Sequence, residues 1–330
     1  MEGATRAQRA RFVTGRWYLR SVYTLEAARE GEAAPLWSRE LDAAVKPLGS
    51  SALAVEGDTL VTVQDFGSRE PAVVCGFAVA GGEPRWERPV SARLSTEALA
   101  AFGGAFWVHA AGEAGDGTLR RINPATGEAG DQVAAPGGNG LFAVAGRLWL
   151  MGGDGVYRLG DDERSAERVA SVRPRVMAEA RDGLFVQENT PASPAVVLLD
   201  SDTGREQARF AGVEGGAFAT ILVPLAAPGH VLVAGDQGGV IVDVREGRVV
   251  APLALPPGHG VAYAADTPHG IAVLAGPLGG AQQAAVFDPA SGAVVQPLDA
   301  GEVVAGALFF ADGAIAVSGQ ALTFHRWADG

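Results

Sequence analysis

Eight side chains of this 330-residue chain have the chemistry to bind a ligand and stand in stretches that the sequence predicts to be loops. They are Asp65, Arg69, Glu113, Asp116, Asp154, Glu188, Asp236 and His259. Carboxylate oxygens gathered on one surface could coordinate a hard cation such as calcium, or pair with a cationic group on a partner. Turn formation is the competing interpretation and the favoured one, because Asp116, Asp154 and Asp236 occupy Asp-Gly-type turns.

His259, in the stretch PPGHGV, is the best candidate for a functional histidine. An enzyme would need its imidazole and a carboxylate of Asp236 or Glu188 within ~3 Å, or one water, of a common point. The sequence has no histidine pair at the i,i+4 spacing of a helical zinc site and no G-x-S-x-G nucleophile elbow. We therefore predict no catalytic residue, and an enzyme remains an alternative.

The composition excludes several classes of function. The net charge is −12, so nucleic acid and anionic membrane surfaces are not expected partners, whereas a cationic protein or peptide is. Cys75 is the only cysteine, which excludes an internal disulfide, and its apolar surroundings predict a buried thiol. Lys46 is the only lysine, and this bias toward arginine indicates a GC-rich bacterial genome.

A repeated phrase predicts the elements that must position these loops. Short apolar stretches alternate with turns, and the last glycines of the turns are Gly82, Gly127, Gly204, Gly247, Gly292 and Gly330. Their spacings are 45, 77, 43, 45 and 38 residues, and the longest gap is two periods with a glycine-free turn near Arg164. A period of roughly forty residues indicates one supersecondary unit of four strands, A to D, copied along the chain.

The C–D turn of each unit has a physical requirement. Its glycine must adopt a positive φ, which residues with a Cβ rarely do. The residue four positions earlier is Asn123, Asp200, Asp243 or Asp288, and a short polar side chain there can accept hydrogen bonds from the turn.

The strand pattern predicts the architecture. Seven A–B–C sets span residues 51–79, 97–123, 139–159, 175–200, 217–243, 260–288 and 303–327. The last set lacks a strand D, and APLWSRELDA (34–43) resembles EPRWERPVSA (83–92), the strand D of the first set. We predict an all-β, seven-bladed β-propeller of four-stranded antiparallel blades over residues 34–330, in which residues 34–43 supply the last strand of the closing blade. Such a closed ring is expected to be monomeric.

The first 33 residues are predicted to be an N-terminal extension or a partial blade. Eight blades are therefore the alternative to seven. Within this segment TLEAAREGE (24–32) fits either a strand or a short helix.

The units resemble the PQQ-like, quinoprotein-type β-propeller repeat, in which a strand, a Thr-Gly turn and a Trp-bearing strand follow one another. INPATGE, LDSDTGRE and FDPASGAV match the turn, while only Gly82 to Trp86 and, more loosely, Gly31 to Trp37 keep the tryptophan. Quinone dehydrogenases of this family carry adjacent cysteines, calcium-binding residues and longer chains. The resemblance therefore implies an architecture, and no quinone cofactor is expected.

The sequence favours a non-catalytic binding or scaffold propeller that contacts a protein or peptide through the D–A and B–C loops on one face of the ring. A lyase or hydrolase with a site in the central funnel, acting on a small molecule or glycan, is one alternative. A calcium-stabilised structural module is another.

The expected compartment depends on what precedes the chain in the cell. The N-terminal stretch lacks the apolar core of a signal peptide, which predicts the cytoplasm, whereas a removed signal peptide would place the protein outside it. The longest uncharged stretch (216–235) is interrupted by Pro224 and Pro228, so no transmembrane helix is predicted.

Overall fold

The computed structural model describes residues 9–14, 23–28, 37–41, 46–47, 53–65, 72–90, 93–111, 116–180, 183–188, 195–211, 221–277, 280, 282–298, 304–309, 313–318 and 321–326. The regular elements of these ranges are β-strands. The chain divides into two compact units, Met1–Ser171 and Val172–Gly330.

The described part of the first unit contains sixteen strands. They are β1 (Arg9–Thr14), β2 (Tyr23–Ala28), β3 (Trp37–Leu41), β4 (Lys46–Pro47), β5 (Leu53–Glu56), β6 (Thr59–Asp65), β7 (Ala72–Ala78), β8 (Pro84–Val90), β9 (Arg93–Phe102), β10 (Ala105–Ala111), β11 (Asp116–Ile122), β12 (Ala129–Pro136), β13 (Gly138–Val144), β14 (Arg147–Gly152), β15 (Gly155–Leu159) and β16 (Ala166–Ala170). Strands β1 to β3 form one sheet, and β5 to β8 form a second in which β4 also pairs with β6. Strands β9 to β12 and β13 to β16 are four-stranded antiparallel sets, joined by one parallel bridge between Gly140 and Glu97.

The described part of the second unit contains fifteen strands. They are β17 (Pro174–Ala180), β18 (Gly183–Glu188), β19 (Ala195–Leu199), β20 (Glu206–Ala211), β21 (Ile221–Pro224), β22 (His230–Gly235), β23 (Gly238–Asp243), β24 (Arg248–Pro252), β25 (His259–Thr267), β26 (Gly270–Pro277), β27 (Gln283–Phe287), β28 (Val294–Leu298), β29 (Val304–Phe309), β30 (Gly313–Ser318) and β31 (Ala321–Arg326). Three sheets have four strands in chain order, β17 to β20, β21 to β24 and β25 to β28, and β29 to β31 form a three-stranded sheet.

The predicted strand sets agree with these sheets. Each A–B–C set is a run of three consecutive antiparallel strands, and six of the sets continue into a strand D. The all-β architecture of four-stranded antiparallel blades is therefore confirmed.

The N-terminal segment differs from one expectation. The short helix considered for residues 24–32 is wrong, because Tyr23–Ala28 is a strand. Strand β3, which lies within the predicted closing segment 34–43, pairs with β2. Its pairing with the C-terminal strands and the number of blades stay predictions.

Strand B of each blade is apolar because it has neighbours on both edges and both faces. In β22 the residues from Val231 to Ala234 are fully buried. Such burial favours a continuous apolar run over the alternation typical of a sheet with one wet face.

Successive side chains of strand B pack into the two neighbouring blades, because they point to opposite faces of the sheet. On β10, Phe106 packs with Val61 of the preceding blade, and Trp107 packs with Leu148 of the following one. The equivalent contacts in the second unit are Val231 with Phe185 and Leu232 with Ile271.

Five of the six predicted C–D turn glycines are confirmed, and Gly330 lies outside the described residues. The five glycines, Gly82, Gly127, Gly204, Gly247 and Gly292, have φ between +64° and +73°. Asn123 shows the capping geometry, since its Oδ1 accepts the Ala125 N–H at 2.8 Å. Asp200, Asp243 and Asp288 cap their turns in the same way. The turn from Gly160 to Ser165 lacks a glycine at its end, and there Glu163 adopts a φ of 55°.

Trp86 of β8 covers the C–D turn of the next blade. Its Nε1–H donates to the Pro124 carbonyl at 2.8 Å. A Cβ added to Gly127 would overlap the indole on one side, and a Cβ on Gly76 would overlap it on the other. Glycine at both positions therefore lets the blades approach closely.

Several outer strands carry proline. Pro89 of β8, Pro252 of β24 and Pro297 of β28 pair with Val73, Val240 and Ala285 of the respective strands C. Proline has no N–H to donate to a sheet, so it is tolerated on strands that lie at an edge.

Cys75 and His109 are buried titratable side chains in the described part of the first unit. Cys75 is 5% exposed, and burial together with nearby Glu87 raises the pKa of its thiol to about 12. The thiol is therefore protonated at neutral pH, as expected for a structural cysteine. His109 is fully buried, its Nε2 lies 3.0 Å from the Pro136 carbonyl oxygen, and burial lowers its pKa. Within the described ranges, no helix has the length and apolar character needed to cross a membrane.

Candidate functional site

Two of the eight candidate residues lie at one surface of the second unit. Asp236 stands in the B–C turn between β22 and β23, and His259 is the first residue of β25. The two segments touch, because a Cβ on Gly260 would overlap the Asp236 backbone. The chain thus brings together a B–C turn and the end of the neighbouring D–A loop, as the propeller arrangement predicts.

An open pocket of about 460 Å³ lies beside this contact. His259 and Gln237 are its polar side chains, the backbone supplies further polar groups, and the remaining side chains of the wall are apolar. The main apolar contributors are Phe210, Val249, Leu255, Pro256 and Pro257. A concave apolar surface with a few polar groups is the usual form of a ligand site.

Sequence reasoning missed these apolar residues. Phe210 lies on β20 and Val249 on β24, so they come from the strands D of two different blades. The paired prolines that precede Gly258, whose φ is +76°, are a local indication of a rigid and exposed loop.

Asp236 differs from Asp154 and Glu188 in its hydrogen bonding. Its Oδ1 is buried and has no hydrogen-bond partner among the described residues. A buried acceptor left without a donor costs ~1–3 kcal/mol, so this turn would gain from a nearby N–H or water. The His259 Nδ1 lies 3.5 Å from the Pro257 carbonyl oxygen.

Two other candidate carboxylates are already engaged. Asp154 accepts the Tyr157 hydroxyl at 2.8 Å and lies 3.5 Å from Arg168. Glu188 accepts a hydrogen bond from Arg209 at 2.6 Å, and Arg209 also binds Glu206. Asp154 thus links the β14–β15 turn to β16, and Glu188 links β18 to β20 across β19.

The remaining four candidates belong to the first unit. Asp116 is exposed at the first position of β11, and Asp65 is the last residue of β6. Arg69 and Glu113 lie outside the described residues.

The arrangement does not assemble a metal centre in the described part of the chain, where no group of three or more His, Cys, Asp or Glu side chains could hold an ion. Of the two carboxylates considered as partners of His259, Glu188 is committed to Arg209. Calcium binding and catalysis both stay predictions.

Comparisons with known proteins address the fold. The chain matches no protein-family model and no curated protein. Among solved structures it is similar to BamB from Moraxella catarrhalis, at 14% identity and a TM-score of 0.64, over 96% of this chain and 94% of that one. It is also similar to the computationally designed Ika8 protein (14% identity, TM-score 0.65, 98% of each chain) and to the C-terminal WD40 domain of Sif2 (11%, 0.61, 92% and 91%). The fold is therefore that of a β-propeller.

Proposed function

We propose that this protein is a non-catalytic interaction propeller that binds a protein or peptide at the pocket beside His259 and Asp236. The observation that carries the proposal is the meeting of two loops from adjacent blades beside a pocket lined by apolar side chains and polar backbone groups. Blades with buried strands form a rigid frame, and exposed loops on a rigid frame are where binding surfaces arise.

The pocket wall suggests the chemistry of the bound segment. Phe210, Val249 and the paired prolines favour an apolar side chain, and Gln237 offers an amide for a backbone hydrogen bond. The net charge of −12 favours a partner with basic residues around that apolar side chain.

We also propose that the blades are related to the PQQ-like repeat. The placement of Trp86 between two glycines, with its N–H bonded to the next turn, supports this relationship. The turn glycine and the tryptophan are the two positions on which the resemblance depends, and in this arrangement each of them has a structural role.

Site-specific photocrosslinking tests the proposed surface. A photoreactive amino acid replaces Gln237 in the pocket, and the matched control carries it at Gln132, an exposed position on β12. We expect a protein from an extract of the source organism to be captured at position 237 and not at 132. The purified partner should then bind F210S at least tenfold more weakly than the unmodified protein.

Two outcomes would count against the proposal. One is capture of the same proteins at both positions, which would indicate non-specific contact. The other is turnover of a small molecule that is abolished by H259A, which would favour the enzyme alternative.

A further inference from the structure

A second pocket, of about 700 Å³, lies at the opposite ends of the blades β21 to β24 and β25 to β28. The A–B loops and C–D turns gather there, away from the surface used in the proposed function. Leu225 and Val250 line it from one blade, and Asp266, Pro289 and Val295 line it from the other.

The junction beside this pocket lacks the tryptophan that the first unit has at Trp86. Ala251 has the same place in β24 as Trp86 in β8, four residues after the turn glycine and opposite strand C. Where the indole covers the next turn, Pro124 is half-buried, whereas the equivalent Pro289 is exposed and lines the pocket. Ala251 itself is buried and is not among the residues that line the pocket.

The walls of the pocket suit a long aliphatic stem. Leu225, Val250 and Val295 present methyl groups, and Val295 is 61% exposed although it is a large apolar residue. Lysine and arginine side chains bury their methylene stems along such surfaces while the charged head reaches a polar group.

Asp266 supplies an anionic group with room for a cation. Its carboxylate accepts backbone N–H groups of Ala226 and Thr267, and the surrounding wall displaces enough water to raise its pKa. Among the described residues, no arginine or lysine forms an ion pair with it. The sequence explains this, since residues 249–325 contain neither lysine nor arginine.

The other charged groups of the pocket are already held. Asp288 accepts the Ala290 N–H at 3.1 Å and the Ser291 hydroxyl at 2.5 Å. The Arg248 guanidinium lies 3.7 Å from the buried carboxylate of Asp243. Asp266 is therefore the carboxylate best placed to pair with a ligand.

We propose that this pocket binds a lysine or arginine side chain presented by a partner protein. The charge of the whole unit supports a basic occupant, because residues 172–330 carry eight arginines and sixteen acidic residues, a net of −8. The methylene stem would lie on Val250 and Val295, and the cation would pair with Asp266.

A pair of small probes tests this assignment on the full chain. Nα-acetyl-arginine amide carries the cation, and Nα-acetyl-citrulline amide has nearly the same shape without charge. We expect saturable shifts of the Thr267 and Gly270 amide resonances with the arginine probe, with a dissociation constant in the millimolar range (~4 kcal/mol), and none with the citrulline probe.

Matched variants complete the test. D266N retains an acceptor for the two backbone N–H groups and should weaken the arginine probe at least fivefold, while D131N, an exposed change on β12, should leave binding unchanged. V295S, at an exposed position, should weaken binding of the arginine probe two- to threefold. Equal shifts with both probes, or unchanged binding in D266N and V295S, would overturn the assignment. The amides of Gln237 and Gly258 report on the first pocket separately, so failure of one proposal is distinguishable from failure of the other.

Discussion

At two junctions between blades, different residues of the preceding blade cover the C–D turn of the next blade. Where β8 meets the turn that ends at Gly127, the indole of Trp86 fills the space. Where β24 meets the turn that ends at Gly292, the Pro252 carbonyl occupies that space, and the Ala254 N–H donates to the Gly292 carbonyl at 2.8 Å.

The comparison separates what the fold requires from what it tolerates. Both turns need a glycine, because each has a positive φ and no room for a Cβ. The fold does not require a tryptophan at this position, because the backbone of the preceding strand can pack against the turn glycine instead. At the second junction Pro289 of the turn stays exposed and lines a pocket.

Replacing Trp86 with alanine is expected to have the largest effect on stability. The change removes a side chain that is 7% exposed and should cost ~3–5 kcal/mol of unfolding free energy, measured by urea denaturation. W86F keeps most of the ring but leaves the Pro124 carbonyl without its donor, and should cost ~1–2 kcal/mol. A251G at the second junction is the matched control and should cost ~1 kcal/mol or less. Equal costs for W86A and A251G would show that the indole does not hold the first junction together.

Alanine at three turn glycines should separate backbone strain from steric overlap. Gly247 has a φ of +64° and open space around its Cβ position, so G247A should cost ~1 kcal/mol from strain alone. G127A and G292A add overlap with Trp86 and with the Pro252 carbonyl, for ~1–3 kcal/mol more. We expect G292A to be the most damaging of the three, because a backbone carbonyl yields less readily than a side chain. Equal melting temperatures for all three variants would contradict the packing argument.

The smallest effect should be a difference in pH dependence between the two turns. Hydrogen bonds from Ser291 and Ala290 lower the pKa of Asp288, so its contribution to stability is present above the ordinary aspartate pKa of 3.8 and is lost as pH falls through the lowered value. Asn123 has no such titration. D288N should therefore reduce the loss of stability between pH 4 and pH 2, and N123D should increase it, in acid unfolding followed by circular dichroism. Identical acid profiles for the two variants would argue against capping by these side chains.

The sequence predicted the blades well because their determinants are local. Apolar strands, turn glycines and the caps at Asn123, Asp200, Asp243 and Asp288 each depend on a few neighbouring residues. The pairing of β3 was harder to predict, since a resemblance to β8 does not specify which strand lies beside it.

The candidate site was only partly predictable. The contact between the Asp236 turn and the segment at His259 follows from the order of loops in a propeller, and the structure contains it. That Glu188 and Asp154 bind Arg209 and Arg168 could not be predicted, because these partners lie 21 and 14 residues away and meet only through strand pairing. The apolar pocket wall was missed for the same reason, since Phe210 and Val249 belong to different blades.

The prolines of the outer strands have a consequence for how molecules of this protein meet. An outer strand normally presents a row of free N–H and carbonyl groups onto which a strand from another chain can add, the first step toward fibrils. Pro89, Pro252 and Pro297 each interrupt that row of donors on a different blade. A crowded solution should therefore yield fewer intermolecular β-sheets than the many exposed strand edges alone would produce.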